Sequence, residues 1–545
     1  MLASAAIVIA VVVVLFGRVV AHPFIAFDDA ELILRNAQVT DPFASWADQF
    51  FTPRAGYIVP VTVGVQAALY ALSGGDAWSF HAAAVLLHAL CAVQLLLFAP
   101  RLGARGAPVL FAALAFAVHP LVVQPVAWAI CLKDLLMANL VIAGTRSFVD
   151  LGDPTRHPDR AGGRALLAMA LALLAMLAKP SATLVGFAWL AYLAARRIAR
   201  QAVPGAALRV GVGVAALGLL VGAASRHAHD AVMGVEVSPD WTPVLPLAVL
   251  GRQLRHVLWP NDLAIAYAPP AGGLADFDVG LGALAALAFG ALTWRARARP
   301  TRALLLALAA TIYLPTSNVL PFARIMSDSY MYVPLFAFAL LGALACEGLA
   351  PASRPAMRAC AALAGAALLA LGATSHAQLD RWRGGAALWQ PVIDASPNHA
   401  DAHRLLGDEH VFRREPERAV EPYRRYFALH YDARYLVAFG SLLTMTGRVE
   451  DAECVNAEAF VLGTDPAHAA HNYAVLLAFH PDYSPRYPAI AKRVLAAFDA
   501  MPTTTPGALP RELLARLGPL RARLAAFDAP TAPWRPRTCA ILRDR

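Results

Sequence analysis

The sequence predicts an all-α protein in two parts: a polytopic membrane helix bundle over residues 1–375, then a soluble α-solenoid. Three observations predict it. Of 545 residues, 59% are hydrophobic and only 15% charged, where an ordinary soluble chain has roughly a quarter charged. That deficit is confined to residues 1–375, whose Ala, Leu and Val runs are long enough to cross ~30 Å of hydrocarbon. Residues 376–545 carry charge at an ordinary density, and small residues recur there at a helical-repeat spacing.

Apolar runs place about eleven spans, near 2–21, 80–99, 107–123, 126–148, 165–178, 181–195, 206–224, 279–294, 303–317, 330–347 and 357–374. The first lacks a basic leader and is followed by many more, so it reads as a retained span and not a cleaved signal. Arginine concentrates in alternate connections: 101–106, 146–164, 196–209, 295–302 and the short loop with Arg354 and Arg358. The positive-inside rule puts these in the cytoplasm. The N-terminus is then inside, and the loops 22–79, 225–278 and 318–329 and everything after 375 lie outside. Two stretches, 57–72 and 252–267, read as amphipathic helices lying in the outer interface, the second ended by Pro260.

The exported part shows a repeat. Gly407, Gly440 and Ala474 sit in helix-like stretches that begin at Ser396-Pro397-Asn398, Asp432-Ala433 and Asp465-Pro466. The interval is close to the tetratricopeptide period of 34, and a small residue there lets two antiparallel helices pack closely. These repeats occupy 376–484, with capping helices and a tail over 485–545. Of six cysteines, Cys91, Cys131, Cys346 and Cys360 belong to apolar segments, and Cys454 and Cys539 are free to pair if exported. The net charge of +9 belongs to topology-setting arginines. No basic stretch with interleaved aromatics suggests a nucleic-acid partner.

The polar residues set among apolar runs are the informative ones. Asp28 and Asp29 follow span one in FDDAELILRN. His119, Lys133, Lys179, Arg324 and Asp328 lie at or near the ends of later spans. In the topology above all seven arrive on the external side, whereas random placement would scatter them between both faces. Ionisable residues at membrane depth are costly and mark function. Lysine adds weight, because the chain holds only Lys133, Lys179 and Lys492. Lys133 has a bland alternative in pairing with its neighbour Asp134, and His119 reads more readily as a hydrogen-bonding cap than as a base. It has no second His or Cys at metal spacing. No phosphate-binding loop or dinucleotide fingerprint occurs in a fitting context.

Several strings resemble one family in order: FDDAELILRN, FHAAAVLLHAL (80–90), LFAALAFAVHPLVVQPVAWAICLKDLL (110–136), MLAKPSATL (176–184), RQLRHVLWPNDLAIAY (252–267), LPTSNVLPFARIMSDSYMYVP (314–334) and RWRGGAALWQPVIDASPNHADAHRLLG (381–407). They resemble the transmembrane-and-tetratricopeptide-repeat O-mannosyltransferase-like proteins of the GT-C superfamily, in their bacterial branch. The resemblance implies a GT-C-like fold and transfer of a sugar from a polyprenyl-phosphate donor. It implies Asp28 as catalytic base with Asp29 positioning it. Lys133, Lys179, Arg255 and Arg324 are the candidates for the donor phosphate, with His119, Asp328 and Tyr330 supporting the site. The sequence departs from the family where Asp328-Ser329-Tyr330 replaces Asp-Arg-Tyr, Arg324 one helical turn earlier being the substitute, and where RAGYIVP (54–60) replaces a Tyr-Arg-Pro-Leu pattern.

The expected activity is therefore an inverting sugar transfer at the external face. The acceptor is a hydroxyl, either on Ser or Thr of an exported protein or on a glycolipid or polysaccharide. The expected partners are the lipid-linked donor, that acceptor and membrane lipids. No cofactor is called for; a divalent metal is compatible with the chemistry but not indicated. A non-catalytic repeat scaffold and a transporter are the readings from other classes, and the adjacent acids disfavour the first. The Ala- and Arg-rich, Lys-poor composition suggests a bacterium, with a multi-pass inner-membrane location and a periplasmic C-terminal domain.

Overall fold

The structure, a computed structural model, describes residues 1–44, 52–53, 56, 58–153, 160–233, 242–267, 273–321, 324–347, 353–463, 465–480, 482–499 and 511–525. Every regular element among them is a helix. In order they are α1 (Leu2–Phe16), α2 (Ala37–Thr40), α3 (Pro60–Ser73), α4 (Trp78–Leu102), α5 (Ala107–Val118), α6 (Val123–Ala127), α7 (Leu132–Gly152), α8 (Ala161–Ala178), α9 (Val185–Ile198), α10 (Gly205–Met233), α11 (Leu245–Leu258), α12 (Phe277–Ala296), α13 (Pro300–Tyr313), α14 (Tyr332–Cys346), α15 (Arg354–Leu379), α16 (Ala386–Ala395), α17 (Ala400–Phe412), α18 (Pro416–Leu429), α19 (Leu436–Met445), α20 (Val449–Leu462), α21 (Pro466–Phe479), α22 (Pro488–Asp499) and α23 (Arg511–Ala525).

Among the described residues, eight helices are long and apolar enough to cross a membrane: Leu2–Ala21, Trp78–Leu102, Ala129–Gly152, Ala161–Ala178, Gly205–Val232, Phe277–Ala296, Asp328–Cys346 and Pro355–Arg383. A ninth is a broken pair, Ala107–Val118 with Pro120–Ala127, bent by 52° at His119-Pro120, where a proline follows a residue forced out of the α region. These meet nine of the eleven expected spans. The segments expected at 181–195 and 303–317 are the helices α9 and α13, of 14 residues each. At 1.5 Å per residue each is roughly 21 Å long, short of the ~30 Å core. Counted with the adjoining 3-10 turns Pro180–Leu184 and Leu314–Thr316, they reach roughly 27–31 Å.

Two compact units are distinct, Met1–Leu388 and Trp389–Arg545. The break falls after the expected 375 because α15 runs on to Leu379. In the first unit α11 and α12 pack at backbone contact. A Cβ on Gly251 would lie 1.9 Å from the Asp278 carbonyl oxygen, and one on Gly282 would lie 1.8 Å from that of Leu247. Small residues that let helix backbones meet are the usual device of membrane bundles. The helix expected across 252–267 starts earlier, at Leu245, and ends before Trp259-Pro260.

The second unit is a run of antiparallel hairpins, α17 with α18, α19 with α20, and α21 with α22. Their packing explains the small residues of the repeat. A Cβ on Gly407 would strike the Tyr423 ring at 2.5 Å, and one on Gly440 the Asn456 side chain at 2.1 Å. At the third position Ala474 is fully buried. Cys91, Cys131, Cys346 and Cys360 are free. Cys454 is disulfide-bonded, and Cys539 lies outside the described residues.

Gly251→Ala is expected to destabilise the protein by about 1–3 kcal/mol, the cost of overpacking a tight contact. Gly280→Ala, where nothing lies within 4 Å of an added Cβ, is the control. Thermal unfolding of the two variants in detergent checks it: a lowered midpoint for the first only.

Candidate functional site

The chain leaves α1 through a 3-10 turn, Gly17–Ala21, and buries Phe24 and Ile25. Asp29 then folds back. One carboxylate oxygen accepts the Ile25 N–H at 3.2 Å and the other accepts the Ile130 N–H at 3.0 Å. The residue is 1% exposed, and charge-assisted bonds to two amides are what make such burial tolerable. Asp29 thereby ties the turn after α1 to the 3-10 turn Ala129–Cys131. Held between this anchor and a π-helical turn at Ala30–Leu34, Asp28 has φ 61°. Left-handed backbone at a non-glycine residue is uncommon, though Asp tolerates it. The Asp28 side chain is half-buried, and among the described residues it makes no hydrogen bond or ion pair.

Next to Asp28, Phe27 stacks on Trp128 with ring centroids 5.5 Å apart and planes at 17°. The Arg324 guanidinium lies over both rings, 4.9 Å from Phe27 and 4.8 Å from Trp128, and Trp382 backs Trp128 at 5.7 Å. One Arg324 terminal nitrogen is buried with no hydrogen-bond partner among the described residues. The cation is thus held by ring faces, an interaction that strengthens when desolvated, and keeps donors in reserve for an anion. The residues 324–327 are irregular, with Ser327 extended and the helical turn starting at Asp328. This corrects the reading of Arg324 as one helical turn before Ser329.

Pro180 stops α8, which leaves Lys179 in extended backbone at its end. Its ammonium pairs with Asp134 and lies 5.2 Å from the Tyr330 ring. The alternative that Lys133 and Asp134 neutralise each other does not hold for Asp134. Consecutive residues on a helix point about 100° apart and do not face one another. Asp134 turns inward, 1% exposed, and Lys133 stays half-buried. Three of the four expected phosphate ligands, Lys133, Lys179 and Arg324, surround the buried Cys131. Asp134, Lys179, Ser181, Thr316, Ser329 and Tyr330, with Met137, Ile312 and Val333, line a narrow cleft of about 10 Å³, space for roughly one water.

The fourth does not join them. Arg255 sits at 2.7 Å from Asp262 and 3.3 Å from Asp278, and Arg252 is 2.9 Å from the same Asp278. Burial would raise Asp262, yet His256 and Arg255 beside it hold its carboxyl well below the usual carboxylate range. Arg255 is thus an α11–α12 clamp, paired with two carboxylates. His119 is likewise fully engaged: Nδ1 accepts the Leu121 N–H at 3.2 Å and Nε2 contacts the Val257 carbonyl at 3.1 Å. It caps the bend of the broken helix pair and joins it to α11.

Asp328 is buried and accepts the Tyr267 hydroxyl at 2.6 Å, with His256 Nδ1 at 4.0 Å and His256 Nε2 at 3.0 Å from Asp262. Burial and the Asp328 carboxylate push the Tyr267 phenol well above its ordinary range, so it remains a donor. Ser329 gives its N–H to the Gln124 side-chain oxygen at 2.9 Å, and Ser327 gives its hydroxyl to the same atom at 2.7 Å. This buried network fixes Tyr330 beneath Lys179. Phe27, Trp128, Gln124 and Tyr267 were not legible as site residues. Aromatics and amides are common in spans, and their partners come from stretches far apart in the chain. Of the departure at 54–60, positions 54, 55 and 57 lie outside the described residues. Among those residues no group of three His, Cys, Asp or Glu is placed to hold a metal ion.

Comparison with known proteins finds no matching family model and no matching curated protein. Two solved structures align along most of the chain. The crystal structure of ArnT from Cupriavidus metallidurans in the apo state shares 16% identity with a TM-score of 0.37, over 89% of this chain and 80% of that one. The same protein bound to undecaprenyl phosphate shares 16% identity with a TM-score of 0.38, over 95% and 88%. At these scores no residue of this chain is equated with one of theirs.

Asp29→Ala would orphan two buried amides and is expected to cost about 2–4 kcal/mol of stability, while Asp28→Asn leaves stability unchanged. Unfolding midpoints of the two purified variants against the parent check the contrast.

Proposed function

We propose that this chain is a membrane glycosyltransferase of GT-C type, moving a sugar from a polyprenyl phosphate to an acceptor hydroxyl at the external face. The observation that carries the reading is the pairing of opposites at one turn. A partner-free carboxylate, Asp28, stands beside a cation, Arg324, that is held by aromatic faces and not by an acid.

Each group then has a task. A sugar on a phosphodiester already has a competent leaving group, so one base suffices, in contrast to the two carboxylates of glycosidases. Asp28 accepts the proton of the acceptor hydroxyl as its oxygen attacks the anomeric carbon. The bond from that carbon to the phosphate oxygen breaks, and the electron pair leaves with the polyprenyl phosphate. A single displacement inverts the anomeric centre. Negative charge grows on the departing phosphate, where Arg324 and Lys133 supply fixed positive charge in a partly dry site. Arginine suits bidentate phosphate contact. Lys179 acts with its partner Asp134, and Asp29, His119, Asp328 and Tyr330 hold the geometry.

The external side is the end of the bundle opposite the basic loops, which in a bacterial inner membrane is the periplasm. The acceptor in this reading is a Ser or Thr of an exported protein, recognised by the hairpins of the second unit, which are read as tetratricopeptide-like. Stacked helical repeats commonly present extended binding surfaces.

Purified protein supplied with polyprenyl-phosphate hexoses and a Ser/Thr-rich acceptor peptide tests the reading. Asp28→Asn is expected to lower transfer by roughly 10²–10⁴-fold, the usual worth of a general base, with an unchanged unfolding midpoint. Undiminished transfer would remove Asp28 from the chemistry. In the same assay Arg324→Lys keeps the charge but loses the planar stack, and is expected to raise the donor KM more than it lowers kcat.

A further inference from the structure

A second set of charges lies at the end of the bundle away from Asp28. α4 starts near Phe24, whose ring packs on Phe80 at 5.2 Å, and runs to Leu102, roughly 30 Å further on at 1.5 Å per residue. α7 begins beside the Asp29 anchor at Ile130 and ends at Gly152. There the Ser147 hydroxyl donates to the Arg164 carbonyl at 3.1 Å, which fixes the start of α8 against the end of α7. Three arginines meet at this place: Arg101 of α4, Arg146 of α7 and Arg164 of α8.

They gather around one carboxylate. The Arg101 Nε donates to both Asp150 oxygens at 3.2 Å, and Arg164 donates to the Asp150 main-chain carbonyl at 3.4 Å. The charges beside Arg146 are Arg101 and Asp150, yet Arg146 makes no hydrogen bond or ion pair among the described residues. It is half-buried, between the buried positions Thr145 and Ser147. Asp153 closes α7 and the exposed Arg160 opens α8, so four guanidiniums stand against two carboxylates among the described residues. Arginines that only set topology have no need to meet, since each can extend its head into water. Here one is drawn in beside another, and their repulsion in a partly dry setting is unfavourable. A bound anion removes that cost.

The surface beside the cluster says which anion. Within one turn of Arg164, α8 presents Leu166 and Leu167, 70% and 51% exposed. This helix is long and apolar enough to cross a membrane, so that face belongs to acyl chains. A lipid whose phosphate sits on the arginines places its tails there, whereas a soluble phosphate leaves the apolar face unused. Basic pockets between helices are a recurrent way of holding such headgroups.

We propose that Arg101, Arg146 and Arg164 bind the phosphate of an anionic phospholipid at the end of the bundle opposite Asp28. Arg101 stays with Asp150 and shapes the pocket, and Arg146 is the cation that the lipid engages. The site does not depend on the sugar-transfer reading.

The test is lipid binding to the full-length protein in detergent, read by native mass spectrometry. Phosphatidylglycerol, cardiolipin and phosphatidylethanolamine are added one at a time, and the two anionic lipids should bind more tightly than the third. Arg146→Gln should weaken them about tenfold, the contribution of one charge-assisted phosphate contact. Arg295→Gln, the same charge change at an exposed position of α12, should leave binding unchanged. Phosphatidylglycerol should raise the parent's unfolding midpoint more than that of Arg146→Gln. In lipid-free detergent the variant should unfold no earlier than the parent. Equal binding of anionic and zwitterionic lipids, or equal losses from both substitutions, would reduce the cluster to a topology signal and overturn the proposal. Earlier unfolding of lipid-free Arg146→Gln would make Arg146 structural, with the same result. Inorganic phosphate that displaces the lipid with the same Arg146 dependence would put a soluble anion in its place, and would overturn the lipid assignment.

Discussion

The arrangement of the site depends on one buried carboxylate. Asp29 is anchored to the amides of Ile25 and Ile130, residues that precede it by one turn and follow it by a hundred positions. An ionised group inside a bundle is unfavourable unless bonded, so this geometry is either made completely or not at all. Made, it has two consequences for its neighbours. Asp28 is forced into left-handed backbone with its carboxylate unpaired, and Phe27 is delivered onto Trp128, where the two rings receive Arg324. Strain and unpaired charge at one turn are supported by bonds made at the next residue, a pattern characteristic of functional sites.

Around this turn the charges sort into the satisfied and the available. Arg252 and Arg255 are clamped by Asp278 and Asp262, Arg101 by Asp150, and Arg18 by Asp380. These hold elements together. Among the described residues Asp28 and Arg324 have no such partner, and Lys179 has one, Asp134, whose second oxygen is free. In a medium of low dielectric an unpaired charge is expensive, which is why the few that persist define the site more sharply than the many that are paired. Being near a membrane surface did not by itself qualify a residue. His119 and Arg255 are as well placed in the sequence as Lys179, yet both ring nitrogens of His119 are engaged and Arg255 is paired with two carboxylates.

Much of the fold was readable because its signals are local. Spans follow from runs of Ala, Leu and Val, and the positions of Gly407, Gly440 and Ala474 follow from helix pairs that must touch. The make-up of two spans was not, because apolar runs measure hydrophobicity and not helix type. Near 181–195 the 3-10 turn Pro180–Leu184 delays α9 to Val185, and near 303–317 α13 ends at Tyr313, where the 3-10 turn Leu314–Thr316 begins. Within the candidate site, the Asp28-Asp29 pair and the scarcity of lysine drew attention to the turn after α1 and to Lys179, which pairs with Asp134. The division of roles could not be read there. That Asp134 faces Lys179 and not Lys133, or that Arg324 rests on Phe27 and Trp128, depends on how segments from distant parts of the chain meet. No spacing in the sequence encodes it.

The central claim, that Asp28 and Arg324 share one lipid-linked sugar site, is tested most directly by an experimental structure of the full-length protein with undecaprenyl phosphate bound. The account predicts the phosphate in hydrogen-bond contact with the Arg324 guanidinium over the Phe27–Trp128 stack, with the Asp28 carboxylate still unpaired and open to the aqueous side. A phosphate seated elsewhere, with Arg324 turned to a protein carboxylate, would contradict it.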